Sequence, residues 1–254
     1  MSRRILLVIL LLGSAFTRAE VVSFAQFDVE YPPLQQYIDG ELKGPDIELV
    51  KEIFRRTPQY QLDITQMPIA RSFKAFVDGE VDTVLSFATG KFKNDSIYLD
   101  RQIRQSSYRL ITLASESRPY QSWRDLSGKR LATLRIVTLP LQVQPAIDLG
   151  KAELRRVARH EQLLHMLERR RVDVIYMYYD IALHYANKLG VEISAMPGAP
   201  TENRDFFLGI SIKSPLLNKS KLQAELSKSL DSMYLDGTQA EILKRYGIVN
   251  AASD

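Results

Sequence analysis

Cysteine is missing from all 254 residues, so no disulfide can staple this chain and its fold must rest on its core alone. The same absence rules out a lipid anchor attached to a cysteine behind a leader. Histidine is scarce, with three residues, and His160 and His165 stand five apart. That spacing does not put both on one helix face, so no zinc pair is expected. No G-x-G-x-x-G, P-loop or G-x-S-x-G pattern occurs, which leaves nucleotide use and ordinary esterase chemistry without a signature. Neither sign of charge dominates: Lys and Arg number 34 against 30 Asp and Glu. Nucleic-acid binders concentrate basic residues on one face, and nothing here suggests that. Beyond residue 20 no apolar run approaches the roughly 20 residues that a membrane span needs.

The first 20 residues differ from the rest. "MSRRILLVILLLGSAFTRAE" has a basic start, an apolar run from Ile5 to Leu12 and a small-residue end. This is the anatomy of a secretory signal peptide. The expected cut follows Ala19, with Thr17 and Ala19 as the small residues, so residues 1–19 form the leader and the mature chain begins at Glu20. Removing Arg3, Arg4 and Arg18 takes the net charge from +4 to +1. The mature protein is therefore expected to be soluble in the periplasm.

What is present is alternation. "VVSFAQF" reads as a strand, and residues 31–44 as a loop broken by Pro32, Pro33, Gly40 and Gly44. "PDIELVKEIFRRT" opens with proline and first-turn acids, as helices prefer. A strand "YQLDITQM", a helix "IARSFKAFVDG" ending at a C-capping glycine and a strand "DTVLSFAT" follow. Strands near 108–115 and 205–213 flank a second series: "RLATL", a helix near 141–149, "ELRRVA", "EQLLHMLERR", "VDVIYMY" and "DIALHYANKLG". Two helices close the chain, the last opened by the capping box Thr238-x-x-Glu241. Such alternation predicts βαβ units, hence two α/β lobes with largely parallel sheets. The joint is built twice, as "FKAFVDGEVDTVLSF" and "LHMLERRRVDVIYMY". Asp82 and Asp173 are read as structural at these joints. Ligands of open α/β sheets sit beyond the carboxyl ends of strands, which places them near Ser86–Thr89 and Tyr176–Asp180.

Five segments in order carry a resemblance: "YPPLQQYIDGELKGPDIELVKEI", "GEVDTVLSFAT", "DLSGKRLATL", "RVDVIYMYYD" and "LSKSLDSMYLDGTQAEILKRYGI". Together they resemble the bacterial extracellular solute-binding proteins of family 3, the polar amino acid receptors of ABC importers. The resemblance implies an α/β, two-lobed periplasmic-binding-protein-like fold of type II with two hinge crossings. Lobe 1 would span 20–109 and 207–254, and lobe 2 would span 112–203. It implies a monomer that captures a small polar, amino-acid-like or carboxylate-bearing solute by cleft closure. The partner would be an ABC permease in the inner membrane, with no cofactor, no nucleic acid and no covalent chemistry.

By position the resemblance makes Tyr31 an aromatic cleft wall. Ser86, Ala88 and Thr89 would offer hydroxyl and backbone groups from the first lobe, and Thr138 from the second. Two departures follow. Phe92, flanked by Lys91 and Lys93, stands where the family has a carboxylate-binding arginine. Tyr178 stands where it has an ammonium-binding aspartate. Arg71 fits an arginine that some branches carry before the first joint. The expected ligand-binding set is thus Tyr31, Arg71, Ser86, Ala88, Thr89, Lys91, Thr138 and Tyr178, and the expected ligand is an anion, a neutral ring or an amide. Two alternatives share the scaffold: an exported dehydratase-like enzyme and a soluble sensory module.

Overall fold

A computed structural model describes residues 19–87, 92–135 and 137–248. The expected leader lies outside them, apart from Ala19. Lobe 1 begins with β1 (Glu20–Phe27), a small hairpin of β2 (Gln36–Ile38) and β3 (Glu41–Lys43), and α1 (Pro45–Arg55). It continues with β4 (Tyr60–Met67), α2 (Ile69–Asp78), β5 (Thr83–Phe87) and β6 (Ser96–Tyr98). The long strand β7 (Arg104–Leu113) leaves it. Lobe 2 holds β8 (Arg130–Leu134), α3 (Gln144–Asp148), β9 (Glu153–Val157), α4 (His160–Glu168), β10 (Val174–Tyr178), α5 (Tyr179–Leu189) and β11 (Ile193–Ala195). The return strand β12 (Glu202–Ser211) leads to α6 (Lys219–Leu235) and α7 (Thr238–Arg245).

The two lobes are built to one plan. In the first, β1 lies between parallel β4 and β5, then antiparallel β12 and β6 follow. In the second, β8 lies between parallel β9 and β10, then antiparallel β7 and β11 follow. Each lobe thus donates its long antiparallel strand to the chain's passage between lobes. The first halves of those strands, Arg104–Phe206 to Tyr108–Glu202, pair with each other and merge both sheets into one. Both crossings begin before the positions the sequence suggested, at Arg104 and Glu202. Their opening residues are polar and charged (Arg-Gln-Ser-Ser and Glu-Asn-Arg-Asp), which hides a strand from a pattern of apolar runs. The short strands β2, β3, β6 and β11 have the same cause, three residues being too few to show a period.

Local chemistry explains the elements. Helix α1 carries Pro45 at its start and Asp46 and Glu48 in its first turn, and it buries Ile47, Leu49, Val50, Ile53 and Phe54. Helix α2 ends at Gly79, whose left-handed backbone (φ +82°) closes the C-terminus. The joint aspartates do the same work in both lobes. Asp82 accepts the backbone N–H of Ser23 on β1 at 2.8 Å, and Asp173 accepts that of Arg130 on β8 at 2.8 Å. Each ties the strand after the joint to the first strand of its lobe. Asp82 also accepts the hydroxyls of Ser23 (2.7 Å) and Ser214 (2.5 Å), whereas Asp173 pairs with the Arg130 side chain at 2.8 Å.

The closing helices dock on α1 through a charged cluster. Arg56 donates to Glu52 (2.7 Å), Asp236 (2.6 Å), Ser232 (2.9 Å) and Thr238 (2.8 Å). Hydrogen bonds from Arg55 first, then Arg56, pull the Glu52 carboxyl down to about 2. A carboxyl lowered on folding contributes stability above its unfolded value near 4.5 and loses it as pH falls toward 2. Urea midpoints between pH 5 and 2.5 should therefore fall less steeply in Glu52→Gln than in the parent. Parallel slopes would show that Glu52 carries none of the acid sensitivity.

Candidate functional site

The carboxyl ends of the inner parallel strands from both lobes converge on one cleft of about 1020 Å³. Phe27 ends β1, Ser86 nears the end of β5, and Tyr178 ends β10. The loop after β8 contributes Val137–Gln142, and the two crossings contribute Arg104, Tyr108, Glu202, Arg204 and Phe206. This is where an open α/β sheet binds ligands, because side chains from several strand ends can meet there without breaking the sheet.

The lobe 1 wall is a loop locked from behind. Gln35 donates its side-chain amide to the carbonyls of Phe27 (2.5 Å) and Val29 (2.6 Å), and Tyr31 donates its N–H to the Gln35 carbonyl at 2.7 Å. Tyr31 is thereby held over the cleft, with its ring edge-on to His160 of α4 at 4.8 Å. On the far side Tyr108 lies against Tyr178 (ring centres 3.8 Å) and stacks on Tyr176 (5.2 Å). Burial pushes the phenols of Tyr31, Tyr108 and Tyr178 upward. They enter the cleft as neutral hydroxyls that donate or accept hydrogen bonds and carry no charge. Burial also lowers His160 to about 4, so its ring is neutral at physiological pH.

The floor carries the charge. Arg104 is buried at 2% exposure and grips both carboxylate oxygens of Asp46, its Nη2 donating at 2.9 Å. Its Nη1 donates to Ser106 Oγ (2.8 Å), which in turn donates to Asp180 at 2.5 Å. The guanidinium also lies 3.7 Å from the centre of the Phe206 ring. A single chain of contacts thus joins α1, the first crossing and α5. Burial pushes the Asp180 carboxyl upward. Nearer the rim Glu202 pairs with Arg204 and accepts the Tyr176 hydroxyl at 3.0 Å.

Of the residues expected at the site, Tyr31, Ser86, Thr138 and Tyr178 line this cleft. Ser86 is buried and faces the Tyr98 hydroxyl at 3.4 Å, while Thr138 is exposed. Arg71 is exposed on α2, whose contribution to the wall is Ile69 and Phe73. Ala88, Thr89 and Lys91 lie outside the described residues. Sequence reasoning missed Asp46, Arg104, Tyr108, Glu202 and Arg204. Asp46 looked like an ordinary helix-start acid, and the crossing residues belong to no local pattern.

The sequence model for bacterial extracellular solute-binding proteins, family 3, matches residues 25–249. The chain belongs to this family. Solved structures share its fold: the probable amino-acid ABC transporter extracellular-binding protein ytmK from Bacillus subtilis superposes with a TM-score of 0.73 at 17% identity. That match covers 90% of this chain and 98% of the other. Substrate-binding domain 2 of Lactococcus lactis GlnP, in an open conformation, superposes with a TM-score of 0.72 at 15% identity, covering 90% and 96%. An ancestral amino acid-binding protein, a precursor of cyclohexadienyl dehydratase, gives 0.62 at 18% identity, covering 89% and 94%. Comparison with curated protein sequences found no match. The architecture is the two-lobed type II periplasmic-binding-protein fold, with β7 and β12 as its two crossings.

Proposed function

We propose that this family 3 solute-binding protein captures a small solute in the periplasm and presents it to an ABC permease of the inner membrane, acting as a monomer without covalent chemistry. The observation that carries the reading is the cleft itself. Its wall combines Tyr31, Phe73 and Ser86 of lobe 1 with Thr138, Leu139 and Tyr178 of lobe 2, across two crossing strands. A ligand touching both walls gains contacts when the lobes approach, so it favours the closed state by its differential affinity. Periplasmic binding proteins are themselves a standard example of hinge closure. Tyr31, Ser86, Thr138 and Tyr178 are the proposed contacts; Arg71 is exposed on α2 and does not line the cleft.

Protein purified from its native compartment with retained solute should have a smaller radius of gyration by small-angle scattering than the same protein after unfolding, dialysis and refolding. An equal radius across a saturating titration with the recovered solute would count against closure. The likeness to a dehydratase precursor motivates one control, mass spectrometry of the recovered solute before and after incubation. An unchanged mass is expected of a carrier.

A further inference from the structure

Among the described residues, every charged side chain that lines the cleft is already matched. Asp46 is held by Arg104, and Glu202 by Arg204. Asp180, beneath the floor, is engaged by Ser106 and by the N–H of Ile181 at 2.8 Å. A charged group of either sign entering here would leave water without meeting an unengaged partner among the described residues, which is unfavourable.

Apolar surface, by contrast, stands ready on both lobes. Phe27 and Phe73 form one face, with ring centres 5.3 Å apart. Ile69, at the start of α2, is 44% exposed, and Leu141, in the loop after β8, is 86% exposed, although both line the cleft. The loop that carries Leu141 is fixed, not floppy: Val143 is buried beneath it and the Tyr120 hydroxyl donates to the Gln142 carbonyl at 2.8 Å. A large aliphatic side chain held out on a fixed loop over a ligand cleft has its apolar area available to whatever enters.

We infer that Leu141, Ile69, Phe27 and Phe73 form an apolar subsite, and that the solute is an aromatic ring compound whose polar end is uncharged. This inference rests on the solute-binding reading above and narrows its ligand. The ring packs between the lobe 1 phenylalanines and Leu141 as the lobes approach. The polar end reaches the neutral phenols of Tyr31 and Tyr178 and the Ser86 hydroxyl.

A matched set of probes tests it by calorimetry on the ligand-stripped mature protein: 3-phenylpropanoate, 3-phenylpropanamide, L-phenylalanine and L-glutamine. The first three share a ring and differ in the groups at issue. 3-Phenylpropanamide should bind about tenfold or more tightly than either 3-phenylpropanoate or L-phenylalanine, and L-glutamine should bind more weakly still. Leu141→Ser should weaken the preferred ring probe by about tenfold, the scale of losing apolar contact in a pocket, with an unchanged melting temperature because Leu141 is exposed. Phe73→Ser should do the same, and the exposed site at Leu141 keeps the test valid if Phe73→Ser unfolds. Equal or tighter binding of 3-phenylpropanoate, L-phenylalanine or L-glutamine would overturn the ligand class while leaving the solute-binding reading intact. Ring binding indifferent to Leu141→Ser would overturn the subsite. Binding of none of the four would also overturn the inference, and the scattering of protein with its retained solute then judges the solute-binding reading separately.

Discussion

Replacing Asp46 by alanine should lower the melting temperature by roughly 6–20 °C. The estimate follows from the burial of its partner. Arg104 is 2% exposed and commits two nitrogens to Asp46, which is itself only 18% exposed. Removing one member of such a pair strands the other charge in a poorly solvated site, at a cost of about 3–5 kcal/mol. For a domain of about 150–250 residues each kcal/mol moves the midpoint by about 2–4 °C. The double variant Asp46→Leu with Arg104→Met should recover much of the loss, because neither member of the pair is left without the other, while Asp180 keeps Ser106 and the Ile181 N–H but loses the nearby guanidinium. Ser106 still has Asp180 as an acceptor in that background. Differential scanning calorimetry on the parent, the single variant and the double variant decides it. A double variant as unstable as Asp46→Ala would show that the pair is held by packing around it rather than by charge.

The same pair clarifies how the cleft can be both charged and neutral. Among the described residues two carboxylates and two guanidiniums line it, yet each is spent on another protein group. In low dielectric a matched, hydrogen-bonded pair offers little field to a third charge, whereas an unmatched one dominates its surroundings. On the proposed reading, shape and hydrogen-bonding groups select the solute. That inverts the usual expectation for a receptor of polar amino acids, and it agrees with Tyr178 standing where an aspartate was anticipated.

Much of the architecture was legible because it is periodic. The helices from Pro45, from Ile69 and from Lys219 show their buried faces directly, and the twice-built Val-Asp joint announced the repeated lobe plan. Helix α3 was shorter than expected, Gln144–Asp148 rather than 141–149, because the Leu-Pro-Leu segment before it runs along the cleft rim as loop. The site was half legible. Tyr31, Ser86, Thr138 and Tyr178 sit at loop or strand ends whose place in a doubly wound sheet is a matter of topology. Arg104 and Asp46 are 58 residues apart in sequence, and Arg104 and Phe206 meet only because β7 and β12 pair. No local pattern encodes such a contact, which exists only once both crossings are laid side by side.

Gly44→Ala should be nearly as damaging as the loss of Asp46, by about 2–6 kcal/mol, and for a related reason. Gly44 precedes α1 with φ +154° and ψ +169°, a region essentially confined to glycine, where other residues pay about 1–3 kcal/mol. A methyl group there would also stand 2.7 Å from the Leu34 carbonyl carbon and 3.0 Å from the Gln35 Cα, with the Leu34 oxygen closer still. Those are backbone atoms of the loop that holds Tyr31, so neither side can yield cheaply, and overpacking adds about 1–3 kcal/mol. Whatever gives way shifts either the Tyr31 loop or the start of α1, two residues from Asp46. Gly40→Ala is the control. Gly40 also has a positive φ, +77°, yet nothing lies within 4 Å of the added carbon. It should cost only the left-handed backbone penalty of about 1–2 kcal/mol. Urea unfolding of both variants separates strain from collision. If Gly44→Ala loses no more than Gly40→Ala, the close approach to Leu34 is not what makes glycine necessary. If it loses more and solute affinity falls with it, the seat of α1 and the cleft wall are one mechanical unit, fixed by a single missing side chain.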